Sequence, residues 1–169
     1  MFTGHAVIIN NIDKGSKTIR QKMKYNGKNI ILRDTYAILS NPLSAFPSMF
    51  KLKTGDKEVC PYKYLTNELL EHGIGKISEA GLNEKPTKWN QKRFEENIKK
   101  HGFYVDELGR KSNVETDFFD AKAYLSFYCV QDVNILAAGF DKFRELALEA
   151  VKIDVDNVLT ISSLAEKYF

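Results

Sequence analysis

The chain has 169 residues, 43% of them hydrophobic and 28% charged, which fits one domain of ordinary size and makes a folded soluble domain the default class. Its 25 basic and 22 acidic side chains leave a formal charge of +3, too little to argue nucleic-acid binding alone. Cys60 and Cys129 lie far apart with no CxxC or Cys/His cluster, which argues against a zinc site and for reduced structural thiols in a cytosol-like compartment.

Met1–Asn10 lacks a basic region followed by a long apolar stretch, so it does not read as a secretory signal. A start partway into a larger domain fits it equally well. No apolar run approaches the roughly 20 residues that span a bilayer, so no membrane partner is expected. Ala6–Ile9 is a short apolar run. Thr18–Tyr25 loosely alternates, Asn26-Gly27 is a hairpin turn signal, and Asn29–Leu32 is a second apolar run. These predict a hairpin whose second strand is buried, central in a mixed sheet and crossed by a long helix.

Pro42 and Pro47 bracket a short segment ending at Met49-Phe50, and Thr54–Lys57 reads as a turn. Pro61 predicts a helix over Tyr62–Leu70, stopped by Gly73 and Gly75. Glu84–Lys88 is a loop. Gln91–Lys100 is a charged helix ended by His101-Gly102. The strongest period comes last: Leu125, Cys129, Val133, Leu136, Phe140, Phe143, Ala147 and Ala150 recur at steps of three and four. A helix is expected from about Ala121 to Val151, with Asp117 or Asp120 as cap and a weak point at Gly139. Ile153–Asn157 is a break, and a further helix begins at Thr160.

Two places can carry chemistry. Tyr128 and Asp132 share a helical face, with Asp132 on the shoulder of the apolar stripe, where a carboxylate needs a basic group, backbone donors or a metal. Read from spacing alone, a salt-bridged aspartate beside a core tyrosine satisfies the same pattern. Arg33–Leu39 follows a strand end, where Thr35 can bond a phosphate and Tyr36 can stack on a base. A turn threonine and a core tyrosine would look the same.

Four segments, in order, carry a resemblance. Asp34-Thr35-Tyr36-Ala37-Ile38-Leu39 continues to Leu43-Ser44-Ala45-Phe46. Lys57-Glu58-Val59-Cys60-Pro61-Tyr62-Lys63-Tyr64 follows. Tyr128-Cys129-Val130-Gln131-Asp132-Val133-Asn134-Ile135-Leu136 is third, and Asp154–Asn157 with Leu159-Thr160-Ile161-Ser162-Ser163-Leu164-Ala165 is last. Together they resemble the C-terminal part of the 3′→5′ exonuclease domain of protein-primed family-B DNA polymerases of viruses, linear plasmids and mitochondrial elements. The resemblance implies an α/β (mixed), RNase H-like exonuclease fold, here incomplete, over 1–152, with 153–169 leading toward a polymerase palm.

By the same resemblance, Asp132 matches a metal-ligating carboxylate and Tyr128 a tyrosine that orients the attacking water. Lys57 matches a lysine on the phosphate. Thr35, Tyr36, Leu39 and Tyr62 match the surface that holds a single-stranded DNA primer 3′ end. Mg²⁺ or Mn²⁺ is the implied cofactor of the complete domain, and the rest of the polymerase is an implied partner. The family's first motif, D-x-E on the first strand, does not occur before Arg33; its N-x-x-x-F-D motif and the polymerase motifs do not occur either. Asp13 lacks the right neighbours to replace them. One aspartate cannot hold a metal pair, so the isolated chain is expected neither to polymerise nor to proofread, and to bind the metal weakly. Two other readings are a catalytically dead RNase H-like module that binds single strands and an unrelated helix-rich binding domain.

Overall fold

The computed structural model describes residues 6–168; the first five positions of the Met1–Asn10 segment, and Phe169, lie outside them. The fold is mixed α/β, as the sequence implies. Contacts divide the chain into two compact units, Met1–Lys51 with Ala138–Phe169, and Leu52–Ala137.

In the first unit, β1 (Val7–Lys14), β2 (Lys17–Tyr25) and β3 (Lys28–Arg33) form an antiparallel sheet in that order. Asn26 and Gly27 both take positive φ, 46° and 77°, and close a two-residue hairpin that pairs Tyr25 with Lys28. Such turns match the twist of the strands they join, which is why Asn-Gly is a dependable signal. The sheet corrects the expectation for the second strand. β3 is an edge, β2 is central, and Ile30, Ile31 and Leu32 remain 37–50% exposed. An apolar run of this kind is usual in strands covered on both faces, but exposure here shows that the described residues do not bury it.

After β3, Asp34 caps a 3-10 turn over Thr35–Ala37 by accepting the Tyr36 amide at 3.0 Å. Ile38 and Leu39 are buried, and α1 (Phe46–Phe50) buries Phe46, Pro47 and Phe50 before stopping at left-handed Lys51. Arg33 donates to the carbonyls of Val155, Asp156 and Val158, tying the end of β3 to the loop over 155–158. Val155, Val158 and Ala147 pack with Leu164 of α5 (Ile161–Tyr168) into a core of this unit.

The second unit holds features without a periodic signature. Thr66 caps α2 (Asn67–His72), accepting the Leu69 amide at 3.3 Å, so this helix starts later than Pro61 predicts. Tyr62–Tyr64 is a turn instead. Gly73, at φ 83°, ends α2; Gly75 lies in the strand β4 (Ile74–Lys76), where a Cβ would collide with the Phe119 ring. β4, β5 (Tyr104–Val105) and β6 (Phe118–Asp120) make a small antiparallel sheet in the order β4-β6-β5. α3 (Gln91–His101) runs from its Asn90 cap to left-handed Gly102, as its sequence predicts.

α4 (Ala121–Val151) is the expected 31-residue helix, and Asp120 caps it by accepting the Ala123 amide at 2.9 Å. Asp117, the other candidate, binds the Ser78 amide and hydroxyl instead. Over the second half of α4 the expected residues Phe140, Phe143 and Ala147 pack into a core, but over the first half the buried face is rotated from the expected stripe. Ala121, Tyr124, Tyr128 and Ile135 are buried, whereas Cys129 is exposed and Val133 is 62% exposed. Large rings set the face: Tyr124 stacks edge-on against Phe94 at 4.8 Å and Phe119 at 5.9 Å. The helix continues unbroken through Gly139, whose missing Cβ makes room for the Phe46 ring. No described helix is long and apolar enough to cross a membrane.

Candidate functional site

Lys57 precedes α2 in a stretch with no regular secondary structure, and Tyr128 and Asp132 are one helical turn apart on α4. On the rotated face, Asp132 lies between buried Tyr128 and Ile135, so its carboxylate is drawn away from bulk water. Lys57 Nζ donates to both the Tyr128 hydroxyl and Asp132 Oδ2, and sits 4.6 Å from the Tyr128 ring centroid. The partners are 71 and 75 positions away in sequence. Tyr62 completes the group: its hydroxyl and that of Tyr128 share a 2.5 Å hydrogen bond, with the rings edge-on at 5.6 Å.

Burial first, then the hydrogen bonds with Tyr62 and the Asp132 carboxylate, push the Tyr128 phenol far above its ordinary range. It is therefore a neutral hydroxyl, able to orient a water or a phosphate oxygen but not to act as a base. Asp132 Oδ2 is neutralised by Lys57, whereas Asp132 Oδ1 is buried without a hydrogen-bond partner. An orphaned buried carboxylate oxygen marks a place where a cation, a water or a donor belongs.

Among the described residues no group of three or more His, Cys, Asp or Glu side chains could hold a metal. Asp132 offers one open oxygen; a divalent ion such as Mg²⁺ usually takes six oxygens, several of them water. The residues present therefore do not fit a two-metal centre by themselves, and no chemical step is derived through one.

The remaining predicted residues lie in the first unit. Tyr36 is 56% exposed, its ring available to solvent, while Leu39 is buried beside Ile38. Thr35 opens the capped turn, and its carbonyl accepts the Ile38 and Leu39 amides at 3.1 and 2.8 Å. In the second unit, Tyr62 is 62% exposed even though its hydroxyl is engaged.

Sequence reasoning missed a second polar group beside Lys57. Glu58 Oε2 accepts from Arg93 Nε and from Asn97 Nδ2, each at 2.8 Å. Burial acts to raise the Glu58 carboxyl, but those hydrogen bonds and the Arg93 charge outweigh it and hold the group below its ordinary range. The only signal in the sequence is weak: Arg93 and Asn97 are four apart on α3, a spacing that many solvated helix faces share.

The family of organellar and viral type B DNA polymerases matches the chain over residues 1–169. The chain belongs to that family. No curated protein and no solved structure gave a significant match.

Proposed function

We propose that this chain is the part of a protein-primed type B polymerase's RNase H-like proofreading exonuclease that holds the single-stranded 3′ end of DNA. One observation carries the reading. Lys57, Tyr128 and Asp132, which the resemblance assigns to the catalytic centre, meet in one hydrogen-bonded group with Tyr62, which it assigns to the primer-holding surface. Lys57 would meet a phosphate, Tyr62 would pack against the terminal nucleotide, and neutral Tyr128 would orient the attacking water. In the first unit, Thr35 would bond the backbone and exposed Tyr36 would stack on a base, with buried Leu39 supporting their turn. Asp132 Oδ1 would supply one of the oxygens around a Mg²⁺ or Mn²⁺ ion; the carboxylates that complete such a site are not among the described residues.

A second reading, a module that binds single strands without cutting, is favoured by the Lys57 contact to Asp132, which neutralises the one carboxylate of the group. Both readings predict binding and differ over what the strand end contributes. Fluorescence anisotropy with 5′-labelled oligonucleotides at low salt tests this. The exonuclease reading expects weak binding, micromolar or above, to a single strand, reduced when the 3′ end is blocked or base-paired. Tyr62→Ala should weaken it by about 1–3 kcal/mol where the terminal base is fully engaged. Indifference to the 3′ end contradicts the exonuclease reading and leaves the binding module.

A further inference from the structure

No strand ladder or helix fixes the backbone around Lys57. Anchors at three consecutive residues, two through side chains and one through a backbone carbonyl, take that place. Lys57 reaches Tyr128 and Asp132 on α4. Glu58 reaches Arg93 and Asn97 on α3. The Val59 carbonyl accepts the Tyr124 hydroxyl at 2.7 Å. Asn97 is buried at 6% exposure, and a buried amide is costly unless bonded, so its bond to Glu58 is a built feature of the core. A lysine side chain loses much rotamer freedom when held in one place. Keeping its ammonium on two partners therefore calls for a backbone that does not drift.

We propose that Glu58 is a positioning residue: anchored to Arg93 and Asn97 on α3, it fixes the segment that holds the Lys57 ammonium on Tyr128 and Asp132. The proposal rests on the reading of Lys57, Tyr128 and Asp132 as the centre of the site. It also predicts which features of Glu58 matter. Both hydrogen bonds end on the same oxygen, Oε2, so the amide carbonyl of glutamine can accept both without the charge. Alanine can accept neither.

The test uses the whole chain and reads the ¹H–¹⁵N signal of the Lys57 ammonium group at low temperature and slightly acidic pH, where a bonded ammonium exchanges slowly. The signal should be present in the unaltered chain, lost in Glu58→Ala and kept in Glu58→Gln, with the backbone amide pattern of the fold retained in both. Should Glu58→Ala not fold, Arg93→Met gives a second route, because that side chain is already 34% exposed and its stem remains. It should lose the Lys57 signal too. Persistence of the signal in a folded Glu58→Ala or Arg93→Met chain overturns the proposal. So does loss of the signal in Glu58→Gln together with the amide pattern of the whole unit, which would mark a purely structural role. Oligonucleotide binding, measured in parallel, should fall about three- to tenfold in Glu58→Ala and recover in Glu58→Gln. If the unaltered chain binds no oligonucleotide while the Lys57 signal still follows Glu58, the functional reading fails and the positioning role stands.

Discussion

Tyr128 is where burial, hydrogen bonding and charge meet, and its behaviour with pH follows from them. Its phenol lies above the ordinary 10.0, and burial likewise raises that of Tyr124. Burial pushes the Cys60 thiol from 9.0 up to about 12. In the unfolded chain these groups lose their protons at ordinary values, while the folded chain still holds them. Proton release then favours the unfolded state, so stability is untouched below about pH 9 and falls as pH rises beyond it. Ultraviolet titration should show Tyr124 and Tyr128 ionising only together with loss of helical circular dichroism. Early ionisation of either in a folded chain contradicts the account. Glu58 has the opposite sign. Its folded carboxyl lies below the ordinary 4.5, so its stabilisation is complete above that value and is lost as pH falls through the folded value. At this scale the sequence was partly legible. The spacing of Tyr128 and Asp132 showed a shared face, but nothing local could show that Lys57 would supply the partner from 75 positions away.

Among the elements, α4 shows why length and orientation are read with different success. Its 31 residues follow from an apolar period with no proline to interrupt it. Its orientation follows over the second half, where Phe140, Phe143 and Ala147 pack as the period expects, but not over the first, where the period weighs Cys129 and Val133 as core while the packing selects the larger rings of Tyr124 and Tyr128. The strands β4, β5 and β6 have two or three residues each, too few to show any alternation. The Asn26-Gly27 turn was legible because its backbone conformation demands those residue types. Gly139 offers a test at this scale. In an exposed helix, Gly→Ala gains about 1 kcal/mol. Here the new Cβ would strike the Phe46 ring, and overpacking costs about 1–3 kcal/mol. Gly139→Ala should therefore lower Tm, and Phe46→Leu introduced with it should restore part of the loss in a double-mutant cycle. A raised Tm for Gly139→Ala alone would mean that the ring does not pack against the helix.

For the whole molecule, two features set expectations. One is the sheet of the first unit, in which no described residue is fully buried. Pairing places Ile8, Met23, Ile30 and Leu32 on one face and Arg20, Lys22 and Lys24 on the other. Side chains this exposed contribute little to stability, so Ile30→Thr with Leu32→Thr should change it by less than about 1 kcal/mol while improving solubility. A loss of several kcal/mol by denaturant titration would show that the face is covered. The other feature is the Lys57–Asp132 contact, which engages the one carboxylate of the hydrogen-bonded group. With a single carboxylate there, Mg²⁺- or Mn²⁺-dependent release of nucleotides from a 3′ end by this chain is expected to be undetectable; release abolished by Asp132→Ala would contradict this. The most direct measurement of the central claim is oligonucleotide affinity, without added metal and at low salt, for a pair of substitutions of opposite sign. If Lys57 is the phosphate-binding cation and Asp132 its counter-ion, Asp132→Asn frees the ammonium and removes a repelling charge, and should tighten binding about two- to fivefold. Lys57→Met should weaken it by a similar factor. Equal affinities for both variants and the unaltered chain would make the group a structural ion pair and contradict the assignment of the site.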